Sequence, residues 1–423
     1  MQQVTLLLVT TVTTMIGIYA LNTLVLTFIS LYGRNKVEKP PQIADWPTVS
    51  IHLPLYNEKK VASRPINSCL SLDYPKDKVE IIVVDDSNDG TTEIVQALER
   101  SNPKLVKVIH RESRDGYKAK ALQVALENSR GEFIAIFDAD FVPPSDFLRR
   151  LVPYFQISDK IAFVQARYGH LNSGSSRLTK GIALGIDGYC MVEQRARYVA
   201  NLLAHFSGTS GVFRRKAVES AGGWSADTLV EDLDLSVRLQ MGGWKYIYVP
   251  SVVCPGEIPP MFDAFKKQQH RWVKGYTECL RKHWKSILKH DGWSPLKKFQ
   301  ALIQLSIYFV FPLTIAAFFL TVLSYVVFPL FFFLHEYWRY EFTPLILGFS
   351  AIIYAAPLTS YGMTIVELRH ENREGLKRLI YILYLMYLGY RLVLSNTRAI
   401  FEALLGRKSP FYRTPKFGLI DKV

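Results

Sequence analysis

The sequence predicts an α/β domain built on a mostly parallel sheet and carried on apolar helices that embed it in a membrane. Three observations predict this. Residues 48–256 alternate short apolar runs with polar helical stretches of about a dozen residues, the pattern of βαβ units. Residues 4–31, and much of the chain after Phe299, form apolar segments long enough to cross a bilayer. Between them the run 131–137, rich in Ile and Phe, reads as a buried parallel strand and ends abruptly in two carboxylates, Asp138 and Asp140.

Bulk properties narrow the class. A chain of 423 residues is too long for one ordinary core. Its formal charge of +14 fits an anionic membrane surface or phosphorylated substrates. Scattered basic residues and the lack of a visible nucleic-acid module argue against nucleic acid as a partner. Many of them flank apolar runs, among them Arg34, Lys36, Lys39, Lys377, Arg378, Arg407 and Lys408. The four cysteines have neither metal nor redox spacing and read as small core residues of a reducing compartment.

In chain order, residues 1–33 read as a retained transmembrane anchor, since a signal peptide would have a basic start and a shorter apolar core. The basic residues after it place the middle of the chain in the cytoplasm. Pro40, Pro41 and Pro47 mark a linker. Strands are expected at 49–55, 79–84, 105–109, 133–137 and 161–165, with helices at 59–72, 91–100, 118–129, 145–155 and 231–241. No repeat of twenty to fifty residues is present. With a two-residue period, Asp138 and Asp140 at a strand end point the same way, where open α/β sheets bind ligands. Two hard oxygen donors there suit Mg²⁺ or Mn²⁺ carrying a diphosphate, although a polar loop would look similar.

Three further features lie at neighbouring strand ends: Tyr56-Asn57-Glu58, Asp85-Asp86-Ser87 and Gly116-Tyr117-Lys118. Each alone is ordinary turn or cap chemistry. Together they suit a nucleotide: Tyr56 shapes a slot for the base, Glu58 and Asp86 accept hydrogen bonds, and Lys118 meets phosphate. Dinucleotide and P-loop fingerprints are absent.

The order of these motifs resembles the inverting family 2 glycosyltransferases of the GT-A fold, a Rossmann-like mixed sheet. Phe206-Ser207-Gly208-Thr209 resembles that family's acceptor-site motif, Leu229-Val230-Glu231-Asp232 its T-E-D motif, and Gln268-Gln269-His270-Arg271-Trp272 its Q-x-x-R-W signature. The run 135–275 is especially similar to cellulose-synthase-like mannan and glucan synthases. The resemblance implies a nucleotide-sugar transferase that elongates a polysaccharide, with Asp232 as base and Glu231 beside the acceptor. Asp138 and Asp140 would hold the metal. Tyr56, Glu58, Asp86, Lys118, Asp138 and Arg271 would hold the UDP- or GDP-sugar, and Gln268 and Trp272 the acceptor. Val230 stands where the Thr would be. As residue chemistry alone, Glu231 and Asp232 also suit a helix N-terminus. Segment 261–289, within an interfacial region 257–298, also suits a pair of helices lying on lipid.

Apolar runs at 302–334, 344–361 and 379–394 lie in a predicted transmembrane region, 299–400. The first is either one kinked span or a hairpin of two. The loop with Arg369, Arg373, Lys377 and Arg378 argues for a single span. The basic tail 401–423 argues for four later spans that keep it cytoplasmic. In the tail, Phe411-x-x-Thr414-x-Lys416 resembles the F-x-V-T-x-K gating loop of cellulose synthases, with Arg413 in place of Val, which implies that Thr414 and Lys416 cover the nucleotide. A lipid-binding basic end is the plainer reading. The whole reads as a plasma-membrane polysaccharide synthase with its catalytic domain in the cytoplasm. Its rivals are a transferase adding one sugar to a membrane lipid and a catalytically silent scaffold. A transporter is disfavoured, because Asp and Glu are missing from the interiors of the apolar runs.

Overall fold

The structure is a computed structural model that describes residues 2–34, 39–323, 337–371 and 374–421. An apolar helix, α1 (Gln2–Gly33), leads into the α/β domain. There β1 (Val49–Leu55), α2 (Ser63–Leu70), β2 (Val79–Asp85), α3 (Thr91–Ser101), β3 (Val106–His110), α4 (Tyr117–Glu127), β4 (Phe133–Ile136), α5 (Phe147–Leu151) and β5 (Ile161–His170) follow one another. Next come α6 (Arg177–Gly188), α7 (Arg195–Val199), β6 (Gly211–Arg214), α8 (Arg215–Ser220), α9 (Glu231–Met241) and β7 (Lys245–Gly256).

The seven strands lie in the order β3-β2-β1-β4-β6-β5-β7. β1, β2, β3 and β4 are mutually parallel, β6 runs antiparallel to both β4 and β5, and β7 pairs parallel with β5. The inner strands are apolar on both faces because helices cover both. One face packs Ile51, Leu53, Phe133 and Phe147. The other packs Ile134, Phe163, Phe213 and Leu235. All four cysteines are buried and unbonded.

The sequence reading missed β6 and β7. β6 has only four residues. β7 contains Pro250 and Pro255, which argue against an inner strand; it lies at the sheet edge, and its register with β5 shifts beside Pro250.

Segment 261–289 is not a helix pair but one helix, α10 (Phe262–Lys289). Gly275 in its middle makes no break: a Cβ there would lie 2.6 Å from Val230 Cγ1, so the glycine is where α9's first turn seats on α10. α11 (Pro295–Leu305) and α12 (Val310–Val322) meet at a 54° bend, which falls at Ser306 rather than at Pro312. Pro312 sits in the first turn of α12, where its missing N–H costs nothing. The second half of run 302–334, and with it the hairpin, lies outside the described residues, as do Lys36 and Arg373. Two long helices close the chain, α13 (Tyr337–Glu367) and α14 (Ile380–Leu404). Among the described residues, segments Leu7–Gly33, Leu347–Glu367 and Gly375–Leu404 are long and apolar enough to cross a membrane, as is the bent α11–α12 pair taken together. These mark a membrane protein.

Candidate active site

The C-terminal ends of β1, β2 and β4 open onto a cavity of about 520 Å³, within the range of small-molecule sites. Tyr56, Glu58, Asp86, Lys118, Asp138, Asp140, Ser207, Gly208, Glu231, Asp232, Gln268, Arg271, Trp272, Thr414 and Lys416 all line it. Phe206 and Thr209 do not. Phe206 is a core residue against Phe163 and Phe213, and Thr209 is buried with its hydroxyl accepting from the Asp138 N–H at 3.0 Å. Both support the loop rather than face a ligand.

The nucleotide end is built by two cross-braced loops. The Asn57 N–H donates to Ser87 Oγ (2.7 Å), the Asn88 N–H to Asn57 Oδ1 (2.8 Å), and the Glu58 N–H to Thr91 Oγ1 (2.9 Å). Asn57 tolerates its positive φ of 54° as few other residues do. Asp85 is buried structure, accepting from Thr92 Oγ1 at 2.6 Å, and leaves Asp86 as the carboxylate at the cavity. Asp86 is not a bare acceptor, since Arg111 binds both its oxygens. Burial raises its pKa against the opposing charges of Arg111 and Arg114. The Arg114 guanidinium lies 3.4 Å above the Tyr56 ring, and Tyr117 stacks on Phe411 of the tail at 5.6 Å. Tyr56, Arg114 and Phe411 of this stack line the cavity, and Tyr117 backs Phe411. Arg111 and Arg114 went unnoticed in the sequence, where the only signal was their place just beyond β3.

Asp138 and Asp140 face the cavity, but not through strand periodicity. β4 stops at Ile136, and the Phe141 N–H bonds the Asp138 carbonyl at 3.0 Å, so the two sit in a tight turn. Each carboxylate meets a lysine: Lys118 Nζ is 2.6 Å from Asp138, and Lys416 pairs with Asp140. Lys118 also reaches the Gly208 carbonyl at 2.9 Å and Glu231 at 3.6 Å. Burial would lower its pKa, but Asp138 and Glu231 outweigh that and hold it high.

The second half of the site hangs on α9. The Ser236 hydroxyl donates to the Asp232 carbonyl and accepts from the Phe206 N–H, which fixes the 206–210 loop on the helix. Gly208, at φ 81°, lets backbone pass close to Asp232; a Cβ there would lie 2.7 Å from Oδ2. His205 Nε2 stands 3.8 Å from the same carboxylate, while its Nδ1 is hydrogen-bonded to the Tyr189 hydroxyl at 2.8 Å. In the sequence, His205 carries no signal beyond directly preceding the acceptor-like motif. Burial favours a neutral Asp232, but His205 and Lys118 prevail and hold its pKa below the usual carboxylate range. Burial pushes neighbouring Glu231 up to about 6, with Lys118 opposing. The cavity thus holds an adjacent pair of carboxylates whose surroundings push them in opposite directions.

Gln268, Arg271 and Trp272 share one face of α10. Among the described residues Arg271 has no carboxylate partner within 4.0 Å, and its buried Nε has no hydrogen bond. Burial lowers its pKa, yet a guanidinium stays charged. The guanidinium lies over the Phe411 ring at 4.3 Å, and a half-buried cation facing a cavity without a carboxylate partner among the described residues fits an anionic ligand. The tail lies across the opening. Arg413 pairs with Glu58 at 2.5 Å, and the N–H groups of Phe417 and Gly418 donate to Glu257 at 2.7 and 3.0 Å. Burial pushes Glu58 up to about 7 against Arg413 and Lys416. Beyond Asp232 the cavity is lined by Tyr168, Tyr189, Trp272, Tyr276 and, from the apolar helices, Tyr308 and Tyr361.

Residues 47–275 match the family model described as glycosyltransferase like family 2. The chain belongs to this glycosyltransferase family. It is similar to a probable glucomannan 4-beta-mannosyltransferase 7 of Oryza sativa subsp. japonica, 38% identical over 265 residues, covering 61% of this chain and 45% of that one. It is 36% identical over 292 residues to glucomannan 4-beta-mannosyltransferase 9 of Arabidopsis thaliana, covering 65% and 55%. With a probable glucomannan 4-beta-mannosyltransferase 15 of the same plant it shares 32% over 381 residues, covering 84% and 69%. The chain spans about half the length of the first of these relatives. The mannosyltransferase PcManGT from Pyrobaculum calidifontis, solved in complex with GDP-Man and Mn²⁺, shares the fold with a TM-score of 0.57 at 21% identity, covering 83% of this chain and 98% of that one. The resemblance read from the motifs is thus that of the family, and the GT-A fold is the one observed.

Proposed function

We propose that this protein is a membrane-embedded, divalent-metal-dependent, inverting β-hexosyltransferase that moves a hexose from a GDP- or UDP-sugar onto a growing polysaccharide. The observation that carries the reading is one cavity with two ends. At one end the Tyr56 and Phe411 rings, the carboxylates of Asp138 and Asp140, and Arg271 suit a nucleoside diphosphate. At the other, beyond Asp232, aromatic faces suited to sugar rings lead through Tyr276 to Tyr308 at a ring distance of 5.0 Å. The relatives' names favour mannose and a glucomannan acceptor, and the GDP-Man in the PcManGT complex agrees.

The two carboxylates of the Asp138–Asp140 turn fit Mg²⁺ or Mn²⁺, hard ions that take one or two protein carboxylates and complete their shell with water and phosphate. Bound there, the ion would neutralise charge on the leaving diphosphate. Lys118 and Lys416 hold those carboxylates now and would pass to phosphate oxygens. Asp232 takes the acceptor hydroxyl proton as that oxygen attacks the anomeric carbon, and His205 orients the carboxylate. Arg271 meets the departing diphosphate with a planar fork. Gln268 and Trp272 hold the acceptor end. The domain division read from the sequence, a plasma-membrane location and a cytoplasmic catalytic domain belong to the same proposal, supported by the basic residues after α1.

A transferase adding one sugar to a membrane lipid would use the same chemistry, and the cavity's reach to Tyr361 and Leu385 suits it as well. Purified protein with labelled GDP-mannose or UDP-glucose, with Mn²⁺, Mg²⁺ or EDTA, and beside Asp232→Asn, separates the readings. A metal-dependent polymer that needs Asp232 supports the synthase. An organic-soluble product of one sugar supports the lipid transferase. No turnover on any donor or acceptor refutes both.

A further inference from the structure

Asp232 Oδ1 accepts from the Leu233 N–H at 2.8 Å, within its own helix. Among the described residues no Lys or Arg comes within 4.0 Å of this carboxylate, but the His205 imidazole does, with Nε2 at 3.8 Å from Oδ2. At that distance the contact is electrostatic rather than a hydrogen bond. Lys118 of α4, Tyr168 of β5, Glu231 of α9, and Arg271, Tyr276 and Cys279 of α10 face the same carboxylate from further out. Whatever fixes His205 therefore fixes the immediate surroundings of Asp232.

His205 is gripped from an irregular turn. α6 and α7 are joined without a break by Tyr189–Gln194, which wind as a π-helix. Both ends of that turn reach His205. The Tyr189 hydroxyl is hydrogen-bonded to its Nδ1 at 2.8 Å, and Gln194 Nε2 donates to its carbonyl and to Ser207 Oγ, each at 2.9 Å. On an α-helix, side chains five residues apart point about 140° apart. A π turn closes i→i+5 bonds and brings such residues onto one face. An α-helical turn would offer His205 one of the two side chains and not both. Tyr276 of α10 adds a second hydroxyl at Nδ1, at 3.3 Å.

The turn is itself clamped by the apolar helices. Gly188, just before it, lies so close to Tyr361 of α13 that a Cβ would stand 2.4 Å from Cε1. Arg195, just after it, is buried and donates to Ser30 of α1 at 2.7 Å and to both oxygens of Glu367 of α13 at 2.9 and 2.7 Å. π turns are rare, and they concentrate at functional sites.

We infer that the turn Tyr189–Gln194 is the mount of the base: Tyr189 and Gln194 are positioning residues that act through His205, which turns an N–H towards Asp232 and holds its carboxylate in place for the acceptor hydroxyl. This rests on Asp232 acting as the base. The tautomer follows from the partners. Burial raises the pKa of Tyr189 and Tyr276, so both remain hydroxyls. A phenol donating to Nδ1 leaves the ring proton on Nε2, the nitrogen beside Asp232. That N–H favours the ionised carboxylate. With both hydroxyls gone the proton is free to move to Nδ1, and the Nε2 lone pair then faces the carboxylate.

The test measures kcat, donor KM, the kcat–pH profile and Tm in four variants beside the parent and Asp232→Asn. His205→Asn puts its amide near the Nδ1 position and leaves nothing at Asp232, whereas His205→Gln reaches the Nε2 position. His205→Asn should lower kcat about 10- to 100-fold with donor KM within about threefold of the parent. Losing the N–H raises the pKa of the base, so the acid limb, which reports the Asp232–Glu231 pair, should move up by about one pH unit. His205→Gln should recover kcat by about threefold or more over His205→Asn. Tyr189→Phe/Tyr276→Phe keeps both rings and should move the acid limb the same way. Gln194→Leu should lower kcat about tenfold at constant donor KM. A parent-like kcat and acid limb in His205→Asn, beside an inactive Asp232→Asn, overturns the inference and leaves the base assignment standing. So does an equal loss in His205→Asn and His205→Gln with no movement of the acid limb, which would mean that His205 only supports its loop. Activity retained by Asp232→Asn removes the base assignment itself, and this inference with it. Should Gln194→Leu fail to fold, the double Phe variant decides, because it adds no buried group.

Discussion

Replacing Gly208 with Ala probes how tightly the base is held. Two terms follow from the structure. The backbone φ of 81° lies in the left-handed region, where a non-glycine residue costs about 1 to 3 kcal/mol. The new Cβ would stand 2.7 Å from Asp232 Oδ2, and ordinary contact begins at 3.4 Å, so the carboxylate must retreat by about 0.7 Å. It cannot retreat freely, because Asp232 Oδ1 accepts from the Leu233 N–H at 2.8 Å and His205 stands beyond Oδ2. Misplacing a reacting group by about 1 Å can cost on the order of 10²-fold. Gly208→Ala should therefore lower kcat by about 100-fold, with a small fall in Tm and donor affinity within about threefold of the parent. Initial rates under saturating donor, calorimetric Tm and donor titration measure the three. A kcat within threefold of the parent, in a folded variant, would refute the claim that Asp232 is the base held in place by this loop.

Other outcomes follow from the same geometry. Asp232→Asn keeps shape and hydrogen bonding but loses the base, so kcat should fall by about 10²- to 10⁴-fold with donor binding retained. Arg271→Lys should raise KM for the donor on the order of tenfold, because a point charge replaces a bidentate fork; an unchanged KM would remove Arg271 from the diphosphate. Asp138→Asn or Asp140→Asn should weaken Mn²⁺ binding in an EPR titration, independently of turnover. Asp234 is a buried carboxylate on α9 bound by His283 and Lys282 of α10, both at 2.7 Å, and by Arg238 at 2.8 Å. Burial would raise its pKa, but these partners outweigh that and hold it low. Its contribution is thus fully present above the usual Asp value of about 3.9 and is lost as pH falls below it. Asp234→Asn should cost roughly 3 kcal/mol at neutral pH and flatten the acid limb of the stability profile, read by urea unfolding from pH 7 to 3.

Much of this architecture was legible because periodicity and strand-end chemistry are local. The β1 and β2 strands, the 231–241 helix and the cavity-lining positions of Tyr56, Asp86, Asp138, Arg271 and Lys416 lie where the sequence placed them. What failed was whatever depends on partners distant in sequence. Phe206 reads as part of an acceptor motif, yet packing against Phe163 and Phe213 takes it inside. Asp86 and Lys118 look like free ligands, but Arg111, Asp138 and Glu231 occupy them from other elements.

If Asp232 acts as base in a single displacement, an α-linked donor sugar is transferred with inversion. The most direct measurement is the anomeric configuration of the product, by NMR of oligosaccharide made from GDP-mannose or UDP-glucose in the presence of Mn²⁺. Every newly formed linkage should be β, and none should form with Asp232→Asn. New α-linkages, or β-product at the parent rate from the variant, would contradict the account.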